Sequence, residues 1–319
     1  MSKPIDLSKP RYDQSTYTGR AKHFLQLTNP LNLLASEAQL DEAKRVLDEY
    51  KKNRKLPPGY DEERLWATKY LYDSAFHPDT GEKMFILGRM SAQPPMNTII
   101  TGCMITFYKT TAATIFWQWV NQSFNAVVNY TNRSGDAPLS TNQLLASYCA
   151  ACGGALGTAL YLNNKVKKMK PIYARLVPFA AVCGANFINI PMMRSNELLN
   201  GTPVVTAEGA RVGESRRAAR LGIGLVCVSR VLMAVPGMTL TPLATSYLAR
   251  RGLFCRRPWL ALPLQLALVG LCVTFATPLC CALFPQRAAV PVAALEPPLQ
   301  EIVKKNYPKA KEVYFNKGL

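Results

Sequence analysis

Hydrophobic and polar positions along this chain follow one rhythm before about residue 95 and another after it. In the first part the apolar residues recur at helical spacing. Leu40, Ala43, Val46, Leu47 and Tyr50 fall on one face of EAQLDEAKRVLDEYKKNRK. Ser36 and Gln39 stand at capping-box spacing at its start. Pro57-Pro58-Gly59 stops that helix, and DEERLWATKYLYDSAF opens a second with acids in its first turn. After residue 95 the polar face disappears. Uncharged runs cover 90–108, 110–132, 137–164, 176–193, 231–249 and 258–286, between 18 and 29 residues each. Crossing a hydrocarbon core takes about 20 mostly apolar residues. The pattern predicts spans near 98–120, 144–162, 172–193, 221–244 and 259–284. The predicted class is an all-α polytopic membrane protein with about five transmembrane helices. Residues 1–94 form a helical soluble region, 95–286 the membrane region and 287–319 a tail.

Charge sharpens this division. Residues 1–94 carry 15 Lys/Arg against 13 Asp/Glu, a balanced and strongly charged segment. The remaining 23 Lys/Arg and 7 Asp/Glu cluster between the apolar runs. Short basic connections orient such chains. NNKVKKMKP at 163–171 holds four lysines, and TSYLARRGLFCRRP at 245–258 four arginines, neither with an acid. With five spans, both connections share a side with the N-terminus. That side is the cytoplasm, or the matrix if the membrane is mitochondrial. The segments 121–143, 194–220 and the tail then take the other side. The first residues, MSKPIDLSKPRYDQSTYTGR, have neither the apolar core of a secretory signal nor the acid-poor composition of a transit peptide.

Candidate chemistry is sparse. His77-Pro78-Asp79-Thr80-Gly81-Glu82 is the most enzyme-like string, but it fits no catalytic template and reads better as a tight turn. Of the nine cysteines, Cys149 and Cys152 have CxxC spacing. They lie in an apolar span, where Gly153 and Gly157 suit a close helix–helix contact better than a redox or zinc site. Neither an enzyme nor a metal or cofactor site is expected.

Asparagines carry more. Asn121, Asn125 and Asn129 are spaced i, i+4, i+8 and form one carboxamide stripe on a helix. Amides both donate and accept, which suits a small zwitterion with a hydroxyl. The stripe reads equally as a helix leaving the membrane at the Trp117/Trp119 belt. Asn186 and Asn189 in ANFINIP sit inside the third span, where polar groups need partners. Lys109 and Arg230 fall near the midpoints of their spans, Arg175 near the start of its own, and no span contains Asp or Glu. A substrate carboxylate is one partner for such cations; backbone carbonyls and lipid phosphates are the others. Pro178, Pro191, Pro236-Gly237, Pro263 and Pro278 are positions where a helix can open and free carbonyls for binding. These features point to a carrier of small solutes.

The strings RYDQSTYTGRAKHF, YDSAFHPDTGEKMFILGRMSAQPPMN, FWQWVNQSFNAVVNYTNRSGDAP, NIPMMRSNEL and VYFNKGL resemble the sideroflexin family of mitochondrial inner-membrane carriers, from residue 11 to 319. The pattern is most like the vertebrate members associated with serine. The resemblance implies serine uptake feeding mitochondrial one-carbon metabolism, with alanine and cysteine as further substrates, five spans and insertion without a cleaved presequence. It carries no binding residues over, so Asn121, Asn125, Asn129, Asn186, Asn189, Lys109 and Arg230 rest on the physical argument. Despite the family name, the sequence offers no ligand cluster for iron. The expectation is a serine carrier working by alternating access, without ATP or an evident coupling ion, and with its N-terminus in the matrix. Citrate or another anionic metabolite is the alternative cargo. A scaffold for respiratory-chain assembly, its basic loops on cardiolipin, is the alternative role. The lipid bilayer is an expected partner and nucleic acid is not.

Overall fold

The computed structural model describes residues 5–7, 9–78, 80–107, 110–132, 141–166 and 171–318. Helix α1 covers Tyr17–Leu27, α2 Glu37–Asn53 and α3 Glu62–Ala75. The capping box at Ser36 forms as its spacing predicts, with Gln39 N–H on the serine hydroxyl and the Gln39 side chain back on the Ser36 N–H. All five expected apolar positions of α2 are buried. Val46, Leu47 and Tyr50 pack on Leu65 and Trp66 of α3, so the two helices form one small module. The His77 string is a turn. His77 N–H donates to Glu82 O at 2.8 Å, Gly81 N–H donates to His77 O at 2.9 Å, and Lys83 pairs with Glu37 and Asp41 of α2. Asp79 lies outside the described residues.

The bundle consists of α4 (Gln93–Thr106), α5 (Thr111–Thr131), α6 (Thr141–Val166), α7 (Pro171–Met193), α9 (Arg216–Val235), α10 (Thr241–Arg250) and α12 (Ala261–Cys281). The short helices α8 (Ser195–Asn200) and α11 (Leu253–Arg256) lie in connections. Among the described residues four helical segments are long and apolar enough to cross a membrane: 142–162, 176–193, 216–250 and 258–281. The fold is that of an all-α polytopic membrane protein.

The first expected span, 98–120, is not one helix. Helix α4 ends at Phe107, and α5 starts afresh at Thr110, whose extended backbone and side chain cap the Ala113 N–H. Phe107 stacks on Trp117 across this break at 6.3 Å. At the opposite end Asn132 Nδ2 donates to Gly88 O at 2.7 Å. Gly88 is required there, because a Cβ would collide with the Thr131 side chain. Helices α4 and α5 therefore form an antiparallel hairpin. Gln265 near the start of α12 donates to Gly102 O and Thr106 Oγ1 near the end of α4, so α12 also runs antiparallel to α4.

The face of α6 against α7 also differs from expectation. Gly153 and Gly157 face open space, while Ala151, Ala155 and Ala159 are buried and Gly154 receives Ile188. Alanine at i, i+4, i+8 gives the close approach that the glycines do not.

A four-stranded antiparallel sheet closes one end of the bundle, in the order β2-β1-β4-β3. Its strands are β1 (Thr202–Val205), β2 (Arg211–Ser215), β3 (Arg287–Pro291) and β4 (Glu312–Asn316). Helix α13 (Pro297–Asn306) covers it, and Val204, Val290, Leu295, Leu299, Val313 and Phe315 make its core. The α7–α9 connection and the tail are thus one folded unit. Arg20 of α1 donates to Ala282 O at 2.8 Å, just past α12, which brings the N-terminal module to the same end.

This placement corrects the expected sidedness. With α5 starting afresh and running back along α4, α4 pairs with α5, α6 with α7, and α9–α10 with α12. The N-terminal module, the sheet and the tail gather at one end, and Lys165, Arg250 and Arg251 stand at the other. The basic connections are therefore opposite the N-terminus, not beside it. In a cysteine-free background, Cys introduced at Lys51 and Lys309 should react with an impermeant maleimide from one side of the membrane. Cys introduced at Lys165 and Arg251 should react only from the other. Labelling of Lys51 and Lys165 positions from the same side would refute this arrangement.

Candidate functional site

Polar groups enter the bundle at two depths. The deeper set lies on α5. Its buried face carries Thr114, Gln118, Asn121 and Gln122 beside Phe124 and Val128. Gln118 Oε1, Asn121 Nδ2 and Gln122 Nε2 are buried with no hydrogen-bond partner among the described residues. Leaving such an atom unpaired costs about 1–3 kcal/mol. Asn125 and Asn129 follow on the same helix, half-buried. The stripe expected from Asn121, Asn125 and Asn129 is therefore present but displaced, with its buried part running through two glutamines. Gln118 and Gln122 stand three and one residues from Asn121, so helical spacing alone was enough to reveal them.

The rod α9–α10 opens at this depth. Pro236 brings no N–H to the helical ladder, and Pro236–Leu240 adopts a π-turn, a geometry often found at working sites. Met238 of that turn packs with Ile100 and Met104 of α4, Phe124 and Val128 of α5, and Val182 of α7. Thr241 Oγ1, just beyond the turn, and Thr277 Oγ1 on α12 are also buried without partners among the described residues. Asn189 of α7 is buried and Asn186 half-buried, but no hydrogen bond joins either to the α5 amides among the described residues. Lys109 lies outside the described residues, as does the Arg175 side chain.

The second set is at the sheet end. Arg230, expected near the middle of its span, lies towards the middle of the 216–250 segment. The start of α9 packs on the sheet, with Gly222 against the Phe315 ring, so Arg230 comes level with the start of α4 and the end of α12. There it lines a small cavity with Met90, Gln93, Val226, Ser229, Met233, Cys281 and Lys317. Lys317 was missed by the sequence reading, in which VYFNKGL is an ordinary tail. It is 1% exposed. Its N–H donates to Gln286 O at 2.8 Å, and its carbonyl accepts from Arg194 Nη1 at 2.6 Å. Arg194 itself is held by the Glu197 carboxylate at 2.7 and 2.5 Å. Burial, together with Arg230, Arg194 and Arg20 facing it, pushes the Lys317 ammonium down to about 8; the neighbouring Cys281 opposes the shift.

Among the described residues no group of three His, Cys, Asp or Glu is placed to hold a metal ion.

A family model described as Sideroflexins matches residues 6–319. Sideroflexin-1 of Ovis aries is 55% identical over 315 residues, which cover 99% of this chain and 98% of the relative. Human Sideroflexin-1 is 54% identical and human Sideroflexin-3 52% identical, each over the same shares of both chains. No solved structure matches the chain.

The buried ammonium sets a pH test. A free lysine titrates near 10.5 and Lys317 near 8, so the unfolded chain holds that proton more tightly. Stability then rises with pH between about 8 and 10.5, as the cost of the buried charge disappears. Lys317→Met should be more stable than the wild type at pH 7, by about 3 kcal/mol, and should therefore unfold at higher temperature. That advantage should shrink as the pH passes through the same window. Thermal unfolding in detergent measures both, and an advantage independent of pH would exclude a charged Lys317 as its source.

Proposed function

The chain belongs to the sideroflexin family, and we propose that it is a multi-pass carrier of serine in the mitochondrial inner membrane, with alanine and cysteine as lesser cargoes. In this reading it supplies serine to mitochondrial one-carbon metabolism and acts by alternating access. The observation that carries the proposal is the buried, unpartnered amide group of Gln118, Asn121 and Gln122 on α5. A solute with an ammonium and a hydroxyl satisfies those donors and acceptors together. Asn125, Asn129, Asn186 and Asn189 extend the same chemistry along α5 and α7. Arg230 receives the carboxylate at the sheet end; Lys109, the other cation proposed for a carboxylate, lies outside the described residues.

The positive-inside rule, applied to the ends carrying Lys165, Arg250 and Arg251, puts those ends in the matrix. Both termini then face the intermembrane space. Basic residues at the matrix ends also suit an anionic lipid such as cardiolipin.

Purified protein in liposomes is expected to take up labelled L-serine saturably. Unlabelled serine should compete fully, alanine and cysteine partly, and citrate not at all. Asn121→Ala and Gln118→Leu should each lower uptake about 5- to 100-fold, the equivalent of one or two hydrogen bonds, without loss of insertion. Serine uptake that is absent from correctly inserted wild-type protein would overturn the carrier reading. Full uptake by both variants would overturn the site.

A further inference from the structure

The cavity at the sheet end holds two cations that no acidic group among the described residues neutralises. Four basic residues converge on it, and two of them are accounted for. Arg20 is fully engaged with carbonyls, those of Ala282, Gln14 and Ser15. Arg194 forms its pair with Glu197. Arg230 and Lys317 appear in no ion pair and no side-chain hydrogen bond among the described residues. Apart from these two, the cavity lining is uncharged: Gln93 and Ser229, both buried, and the Met90, Val226, Met233 and Cys281 side chains.

An isolated buried ammonium is costly, and a tail free to move would release it to water. Instead the tail is fixed on both sides of Lys317. Its N–H and C=O are bonded to Gln286 and Arg194. Gly318 follows with φ +79°, packed against the Arg194 guanidinium, a conformation and a space that suit only glycine. Its N–H donates to the Asn316 side chain at 3.0 Å. The backbone is thus built to hold the lysine side chain inside. The free space beside it is about that of one water molecule.

We propose that Lys317 and Arg230 form a binding site for one small monovalent anion. Gln93, which keeps a second amide N–H beyond the one directed at Met90, supplies a neutral hydrogen bond to it. The size of the cavity limits the ligand to a single anionic atom or group, a halide or the carboxylate of a very small solute. The site requires no transport step and stands whether or not serine is the cargo.

The test uses full-length protein in detergent at fixed pH 7 and fixed ionic strength. Chloride or acetate replaces gluconate, and L-serine is added to the gluconate buffer, with serinol gluconate as the control that lacks the amino-acid carboxylate. Chloride or acetate should raise the unfolding midpoint of the wild type by a few degrees, and the arm that responds identifies the source of the anion. Serinol should do nothing. Lys317→Met and Arg230→Gln should each abolish the shift, and Lys317→Arg should restore it. A wild-type midpoint indifferent to every anion would overturn the proposal. So would an undiminished shift in either neutral variant. Should Lys317→Met fail to fold, Arg230→Gln decides alone. A serine uptake assay on the same preparations separates the two readings: uptake that persists without any anion response leaves the carrier intact and removes this site.

Discussion

The Arg194 guanidinium joins three parts of the chain that are far apart in sequence. It sits where α7 ends, pairs with Glu197 one turn on, and donates to the Lys317 carbonyl 123 residues away. Charge-assisted bonds of this kind are about twice as strong as neutral ones. At this position the consequence is positional as much as energetic. Through it the exit of α7 fixes the tail, the tail fills the space beside α9, and β4 just before it completes the sheet. Because β1 lies between α8 and α9 while β3 and β4 follow α12, the sheet in turn fixes the ends of two helical hairpins relative to each other. The Glu296 carboxylate adds a second tie, accepting from the Arg217 N–H and the Ser215 hydroxyl at the start of α9.

The bundle above this platform obeys a different constraint. Its helices have almost no charged residues with which to specify their neighbours, so register depends on small residues and on a few side chain-to-backbone bonds. Ala155 and Ala159 let α6 approach α7, Gln265 reads the last turn of α4, and Ser123 meets Tyr148 at 2.8 Å between α5 and α6. Where such bonds are missing, on α5 and around the π-turn, buried polar atoms remain unsatisfied. Native proteins leave few such atoms, and the three on successive turns of α5, at Gln118, Asn121 and Gln122, mark that face as one where something other than packing has been selected.

Signals that act over a few residues were legible in the sequence. The Ser36 capping box, the stop at Pro57-Pro58-Gly59, the apolar face of α2 and the turn after Phe76 all follow from neighbours in the chain. The long uncharged runs marked the bundle for the same reason. What stayed hidden depended on partners far away. The break at Phe107–Thr110 contains no proline or glycine, and its threonines cap a helix only once α5 folds back on α4. The strands are four or five residues long, and the pairing of β1 with β4 that joins their two hairpins links Val205 to Tyr314, so no local alternation announced the sheet. Lys317 looks like any tail lysine until Arg194 and Gln286 are brought to it. Arg230 reads as a lone mid-span charge until the packing of α9 on the sheet brings it level with the end of α12, beside Lys317.

The depth at which charge sits bears on the choice of cargo. Helices α4 and α5 and the apolar parts of α6, α7 and α12 contain no Asp, Glu, Lys or Arg. The middle of the bundle therefore offers amides, hydroxyls and the carbonyls of an opened helix. A solute with several negative charges would shed its hydration there with no counter-charge to replace it, at a cost of several kcal/mol per ion even after relaxation. A zwitterion brings its own counter-charge and asks the protein only for hydrogen bonds. Arg230 and Lys317, at one end, are suited to meeting a negative group where it enters or leaves, and a net-neutral amino acid can pass beyond them into an uncharged interior. This separation of cations from amides favours serine over citrate on physical grounds. Among the described residues Arg230 and Lys317 have no acidic partner, and a permanent carboxylate there would occupy the position at which the proposed anion is to be recognised.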